Sequence, residues 1–217
     1  MIFARSLALA LAVSVAAGQA DAATLATPLS GGNRNAGIQF DVLVGPRNLT
    51  LTALAVNIGT AFHDYAFYTI FGGIGSNSAN AAAWTLRDSF TDVSGQSSSY
   101  ARPGEATMFD IGDLQLAANT RYGFYFTATT RSGSTRVIYS NQAMNTVVTG
   151  HSDITVFSGI GKRLDFGGGN MGRAFNGTLA YSVDPVPEPA SWGMLITGFG
   201  FVGAAARCRR AAGIAIA

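Results

Sequence analysis

The chain has 217 residues, of which 48% are hydrophobic and 12% charged, a balance too apolar for disorder and large enough for one domain with a sizeable core. The formal net charge of +2 does not mark a nucleic-acid binder, because ten basic residues between Ala23 and Pro189 are offset by eleven acidic ones. The remaining bases, Arg5, Arg207, Arg209 and Arg210, sit beside apolar runs at the two ends, so the charge reports topology signals.

The chain opens with a basic Met1 to Arg5 segment, an almost unbroken Leu/Ala/Val run from Ser6 to Gly18, and small residues at Ala20 and Ala22. This pattern predicts a secretory signal peptide over residues 1–22 in helical form, removed by signal peptidase between Ala22 and Ala23. The apolar run is well short of the ~20 residues needed to span a bilayer.

Residues 23–183 carry the period of strands, with short runs separated by Gly, Asn, Ser and Asp. Ile38, Phe40, Val42 and Val44 form one alternating face, Tyr122, Phe124, Phe126 and Ala128 another, and Phe175, Gly177, Leu179, Tyr181 and Val183 a third. Further strands are predicted over 49–58, 64–71, 82–87, 106–111, 136–140 and 153–157. In the first of these the apolar parity switches near Ala53, from Leu49 and Leu51 to Leu54, Val56 and Ile58, which predicts a bulge. With no helical period of convincing length, the body reads as an all-β sandwich of jelly-roll or immunoglobulin-like type.

Residues able to do chemistry are few. His63 and His151 are the only neutral-pH bases, with Asp64 and Asp153 nearby, but no Gly-x-Ser-x-Gly or His-Glu-x-x-His motif fixes a nucleophile or metal, and surface turns are the expected place for both. Glu105, Asp110 and Asp113 are the carboxylates that a glycosidase would draw on, but they lie close together beside a turn, where acids more often form caps, and the segment Asp110 to Asp113 is the one a calcium site would use, without an EF-hand or repeat pattern. Gly72, Gly73 and Gly75, like the run Gly167 to Asn170, lack the strand-to-helix setting of a phosphate loop and read as turns. Trp84, Tyr65, Tyr68 and Tyr100 could stack on sugar rings. Core packing is the expectation for Trp84 and exposure for Tyr100. No catalytic residue, metal or cofactor is predicted.

From Asp184 the composition changes. Pro185, Pro187 and Pro189 alternate, which forbids helix and holds the backbone extended. Ala190 to Ala206 follows without a charge and ends at Arg207-Cys208-Arg209-Arg210. This predicts a single transmembrane helix over 190–206, its arginines cytoplasmic as a stop-transfer signal, and the body on the outer side. Cys208 is the chain's only cysteine, so the body has no disulfide and no thiolate ligand or nucleophile. The string Pro187-Glu188-Pro189, with Trp192, Met194 and the terminal arginines, closely resembles the PEP-CTERM sorting signal, here over 184–210 with a tail at 211–217.

That resemblance implies an exported protein, held briefly at the inner membrane and processed by an exosortase, with cell surface or extracellular matrix as destination. It makes Pro187, Glu188 and Pro189 the recognition element and Trp192 an interfacial anchor. Exopolysaccharide and biofilm are the expected associates. The body is then a non-enzymatic surface domain, with a carbohydrate-binding module as the alternative and a secreted hydrolase behind it.

Overall fold

The computed structural model describes residues 21–130 and 136–185, with Gly193, Thr197 and Gly200. The predicted signal helix and transmembrane helix fall outside the described residues. In chain order the strands are β1 (Asp21–Ala26), β2 (Asn33–Asn35), β3 (Gly37–Val44), β4 (Leu49–Val56), β5 (His63–Phe71), β6 (Thr85–Val93), β7 (Thr107–Leu116), β8 (Arg121–Ala128), β9 (Val137–Asn141), β10 (Val147–Gly150), β11 (Ile154–Lys162), β12 (Gly169–Phe175) and β13 (Gly177–Val183). They form a four-stranded sheet, β1-β13-β4-β7, and a nine-stranded sheet, β2-β9-β12-β11-β3-β8-β5-β6, with β10 added beside β11. All the strand pairs are antiparallel.

The body is therefore all-β and sandwich-like. Its thirteen strands among the described residues exceed the roughly seven to nine of an immunoglobulin-like sandwich and the about eight of a jelly roll. Residues 20–184 make up one compact unit. Among the described residues no helix is long and apolar enough to cross a membrane.

The alternation read from sequence fixes which face of each strand turns inward. Ile38, Phe40, Val42 and Val44 of β3 are buried, as are Gly177, Leu179, Tyr181 and Val183 of β13, and each large apolar side chain so buried contributes about 1.5–3 kcal/mol. Aromatic rings fill the space between the sheets: Phe40 stacks on Phe175 at 4.3 Å within the nine-stranded sheet, and across the sheets Phe109 of β7 lies 4.6 Å from Phe126 of β8. The bulge near Ala53 is present as register shifts between Leu51 and Ala53 against β7 and between Ala180 and Tyr181 on the β13 side.

Three sequence expectations need correction. The strand expected over 82–87 starts later: Ala81–Ala83 is a 3-10 turn and β6 runs Thr85–Val93, because Trp84 folds back onto the sheet and ends the turn. Gly169 and Asn170, read as part of a flexible turn, open β12, where pairing with Lys162 and Gly161 of β11 supplies the backbone partners that their composition does not promise. His63, expected in a surface turn, is only 3% exposed at the start of β5.

Candidate functional site

The outer face of the nine-stranded sheet is not bare. Gln39 and Asp41 of β3 point away from the core, yet both are buried, because two connections fold across them. In the 72–84 connection, Ile74 donates its N–H to Asp41 Oδ1 at 2.8 Å, Gln39 Nε2 donates to Ser78 O at 3.0 Å, and Trp84 Nε1 donates to Asn77 O at 2.9 Å. Gly73 has φ +89, and a Cβ there would press on the Asp41 carboxylate, so the turn needs glycine for both conformation and space. Arg121 Nε stands 3.2 Å from Asp41 Oδ2. Burial raises the pKa of Asp41, opposed by the Ile74 N–H and Arg121.

The second connection, Arg163 to Gly168, places Phe166 over the same face. Phe166 packs 4.8 Å from Tyr125 and 5.3 Å from Tyr68, and Trp84 lies 5.9 Å from Tyr125. With Ile70, Ile74 and Ile160 these rings make a second apolar cluster separate from the inter-sheet core. Tyr125 donates its hydroxyl to Arg163 O at 3.2 Å, and burial pushes its pKa up to about 12. Asp165 and Phe166 both hold left-handed backbone, at φ 56 and φ 58, a conformation that costs a bulky residue energy and persists only where surrounding packing enforces it.

Beside this cluster opens a cavity of about 220 Å³, lined by Tyr68, Tyr125, Thr127, Thr129, Asp165 and Phe166 among others. Its lining combines aromatic rings with hydroxyls and a carboxylate. Of the four aromatics singled out from sequence, only Tyr68 lies here. Tyr65 is buried in the inter-sheet core, Trp84 is buried in the outer-face cluster, and Tyr100 is exposed under the Arg34 guanidinium at 4.5 Å. Thr127, Thr129, Asp165 and Phe166 were not singled out. The outward parity of Tyr125 and Thr127 on β8 was legible, but not the turn that closes over them.

The other sequence candidates are dispersed. His63 Nδ1 lies 3.1 Å from Thr130 Oγ1, and its buried Nε2 has no hydrogen-bond partner among the described residues; burial lowers its pKa, with Arg136 acting in the same direction and Asp64 against it. His151 is exposed in the connection before β11. Asp64 accepts the Asp92 N–H at 2.9 Å, and Asp153 pairs with Arg47 at 3.1 Å, so each acid ties together segments distant in sequence. Glu105, Asp110 and Asp113 are exposed, the latter two along β7. Among the described residues no group of three or more His, Cys, Asp or Glu is placed to hold a metal ion.

At the chain's exit, Ala22 and Ala23 lie within β1, opposite Ser182 and Tyr181 of β13. Ala20, Pro187, Glu188, Pro189, Trp192, Met194, Arg207, Arg209 and Arg210 lie outside the described residues. Among the described residues the last backbone tie after Val183 is the Asp184 N–H to Asn48 O at 3.0 Å, and Pro185 is exposed.

No curated protein matches the chain. A solved structure described as that of the infectious bursal disease virus Gx strain is similar at 10% identity and a TM-score of 0.25, covering 88% of this chain. The chain spans about half (48%) of that chain's length. Residues 185–210 match the family described as the PEP-CTERM protein-sorting motif. The match begins two residues after the end of β13, and the chain is therefore a carrier of the PEP-CTERM sorting motif, which implies export and processing by an exosortase.

Proposed function

We propose that this protein is a non-enzymatic component of the bacterial surface or extracellular matrix, exported through a cleaved signal peptide and released from a transient membrane anchor by exosortase. The observation that carries the reading is the sorting motif at 185–210, placed directly after the strand that completes the four-stranded sheet. The alternation of Pro185, Pro187 and Pro189 in the sequence favours the extended form in which protease clefts accept substrates. The non-enzymatic part is supported by the histidines: His63 is buried against Thr130 and His151 stands in a separate connection. The aromatic pocket on the outer face supports association with exopolysaccharide.

Intact mass of the protein from cells and medium, compared with an exosortase-deficient strain, tests the sorting. The expected mature form begins at Ala23 and ends near Pro187 to Pro189, and is absent from the deficient strain. A form retaining residues 190–217 in both strains would overturn the reading.

A further inference from the structure

We propose that the end of the body from which the chain departs is a lipid-contact surface, seated on the bilayer while the protein is anchored, with Phe71 entering the headgroup region. The proposal rests on the membrane anchor of the reading above and adds an orientation to it. Asp21 stands opposite Val183 in the pairing of β1 with β13, so the chain enters and leaves the body at neighbouring points. Only five residues, Pro185 to Pro189, separate Asp184 from the apolar run that opens at Ala190. At about 3.3–3.6 Å per residue this stretch of chain reaches roughly 20 Å at most, so an anchor in the bilayer keeps this end of the strands close to lipid.

That end is a tied surface. The connections 45–48 and 117–120 cross between the sheets there: Asn48 O accepts the Asp184 N–H at 3.0 Å, Asn48 Oδ1 the Ala118 N–H at 2.9 Å, and Gly45 O the Asn119 N–H at 2.8 Å. Gly45 donates to Asp153 O at 2.7 Å, which joins the connection before β11. Across 45–48, 117–120 and 151–153 the formal charges are Arg47 and Asp153, which pair at 3.1 Å, so these connections bring no net charge toward lipid. Strand β5 ends here too, with Phe71 opposite Tyr122 of β8. Phe71 is 75% exposed, more than any other large apolar side chain among the described residues, and meets the half-buried Tyr122 ring edge to face at 5.8 Å. The Tyr122 hydroxyl accepts the Ala117 N–H at 3.0 Å. An exposed apolar ring backed by a tyrosine whose polar tip is engaged has the make-up of an interfacial anchor.

One phenylalanine does not hold a free protein on a membrane, since even a single acyl chain binds only marginally and reversibly. A short tether changes this by raising the local concentration to roughly the millimolar range. The contact therefore forms while the anchor is intact and lapses once it is cut. While it lasts, it holds the proline spacer at headgroup level, where a membrane-embedded enzyme meets it.

The test reconstitutes the full chain, carrying Trp192→Phe, into vesicles of phosphatidylethanolamine and phosphatidylglycerol that contain acyl-chain-brominated lipid as quencher. Two added tryptophans are compared. Phe71→Trp probes the departing end, and Phe62→Trp the opposite one, because Phe62 is 66% exposed just before β5 begins and lies about 30 Å away along that strand. Flotation first establishes anchoring, and the Trp84 emission of the parent is subtracted. Phe71→Trp should be quenched at least twice as strongly as Phe62→Trp and should shift to the blue on reconstitution. Should circular dichroism show Phe71→Trp misfolded, Ala117→Trp, exposed on the adjoining connection, takes its place with the same expectation. A chain that floats with the vesicles but is quenched equally, or not at all, at the two ends overturns the contact and leaves the anchor standing. A chain that does not float overturns the anchor and the contact with it.

Discussion

At the scale of single residues, the buried imidazole of His63 has the clearest consequence. Its ring packs edge-on to Tyr65 at 6.2 Å, Nδ1 faces Thr130, and Nε2 is buried with no partner among the described residues. A proton on Nε2 would be a desolvated charge, and Arg136 adds repulsion, so the folded-state pKa lies below the ordinary 6.5. The neutral form favours folding: the contribution is present above the unfolded value and is lost as pH falls through the lowered folded one. Urea unfolding should therefore give a lower midpoint at about pH 5 than at about pH 7.5, and His63→Phe, which keeps the ring but cannot titrate, should reduce that difference. An identical pH slope in the variant would remove His63 as the cause. Sequence placed this residue in a surface turn because a histidine beside an aspartate looks polar in one dimension. Burial comes from Tyr65 and the strands around it, which no local pattern announces.

At the scale of elements, legibility followed the alternation rule and failed where a distant segment intervened. The strands β3, β8 and β13 were readable because each sets one apolar parity against one face, and the bulge in β4 was readable because that parity changes hands at Ala53. The start of β6 was misplaced because Ala82 and Ala83 look like strand, whereas the fold uses them in a turn that delivers Trp84 to the outer face. Strand β12 was missed because Gly169, Asn170 and Gly172 resemble a loop, and only its neighbours β9 and β11 make it a strand. The cavity was hidden for the same reason, since Tyr68 was visible as an outward aromatic but the turn carrying Asp165 and Phe166 was not. The clamp on the 72–84 connection is testable. Asp41→Ala leaves the Ile74 N–H without its acceptor and takes from Arg121 its carboxylate neighbour, though not its bond to Asn145 Oδ1, which should cost about 1–3 kcal/mol. In a Trp192→Phe background the emission of Trp84 should shift to the red as the connection loosens. Asp41→Asn, which keeps an acceptor for Ile74, should shift less, and equal effects of the two variants would refute the clamp.

At the scale of the whole molecule, the body must hold together without disulfides, since Cys208 lies outside it. Each sheet has one apolar face that only the other can cover, so the two should fold as one cooperative unit. Phe109 is the place to ask. It stands on β7 of the four-stranded sheet and reaches Tyr65 at 5.6 Å, Phe90 at 4.9 Å and Phe126 at 4.6 Å, all on the nine-stranded sheet. Truncation in Phe109→Ala should cost about 3–5 kcal/mol, a large part of the roughly 5–15 kcal/mol that stabilises a typical domain. The urea midpoint should fall with little change in slope. Trp84 reports from the opposite face of the nine-stranded sheet, away from Phe109. If the layers are coupled, its fluorescence and the far-ultraviolet circular dichroism will shift together in the variant. Should the Trp84 transition stay at the wild-type midpoint while the dichroism moves, the outer-face cluster would be an independently stable unit and the single-core description would have to be replaced.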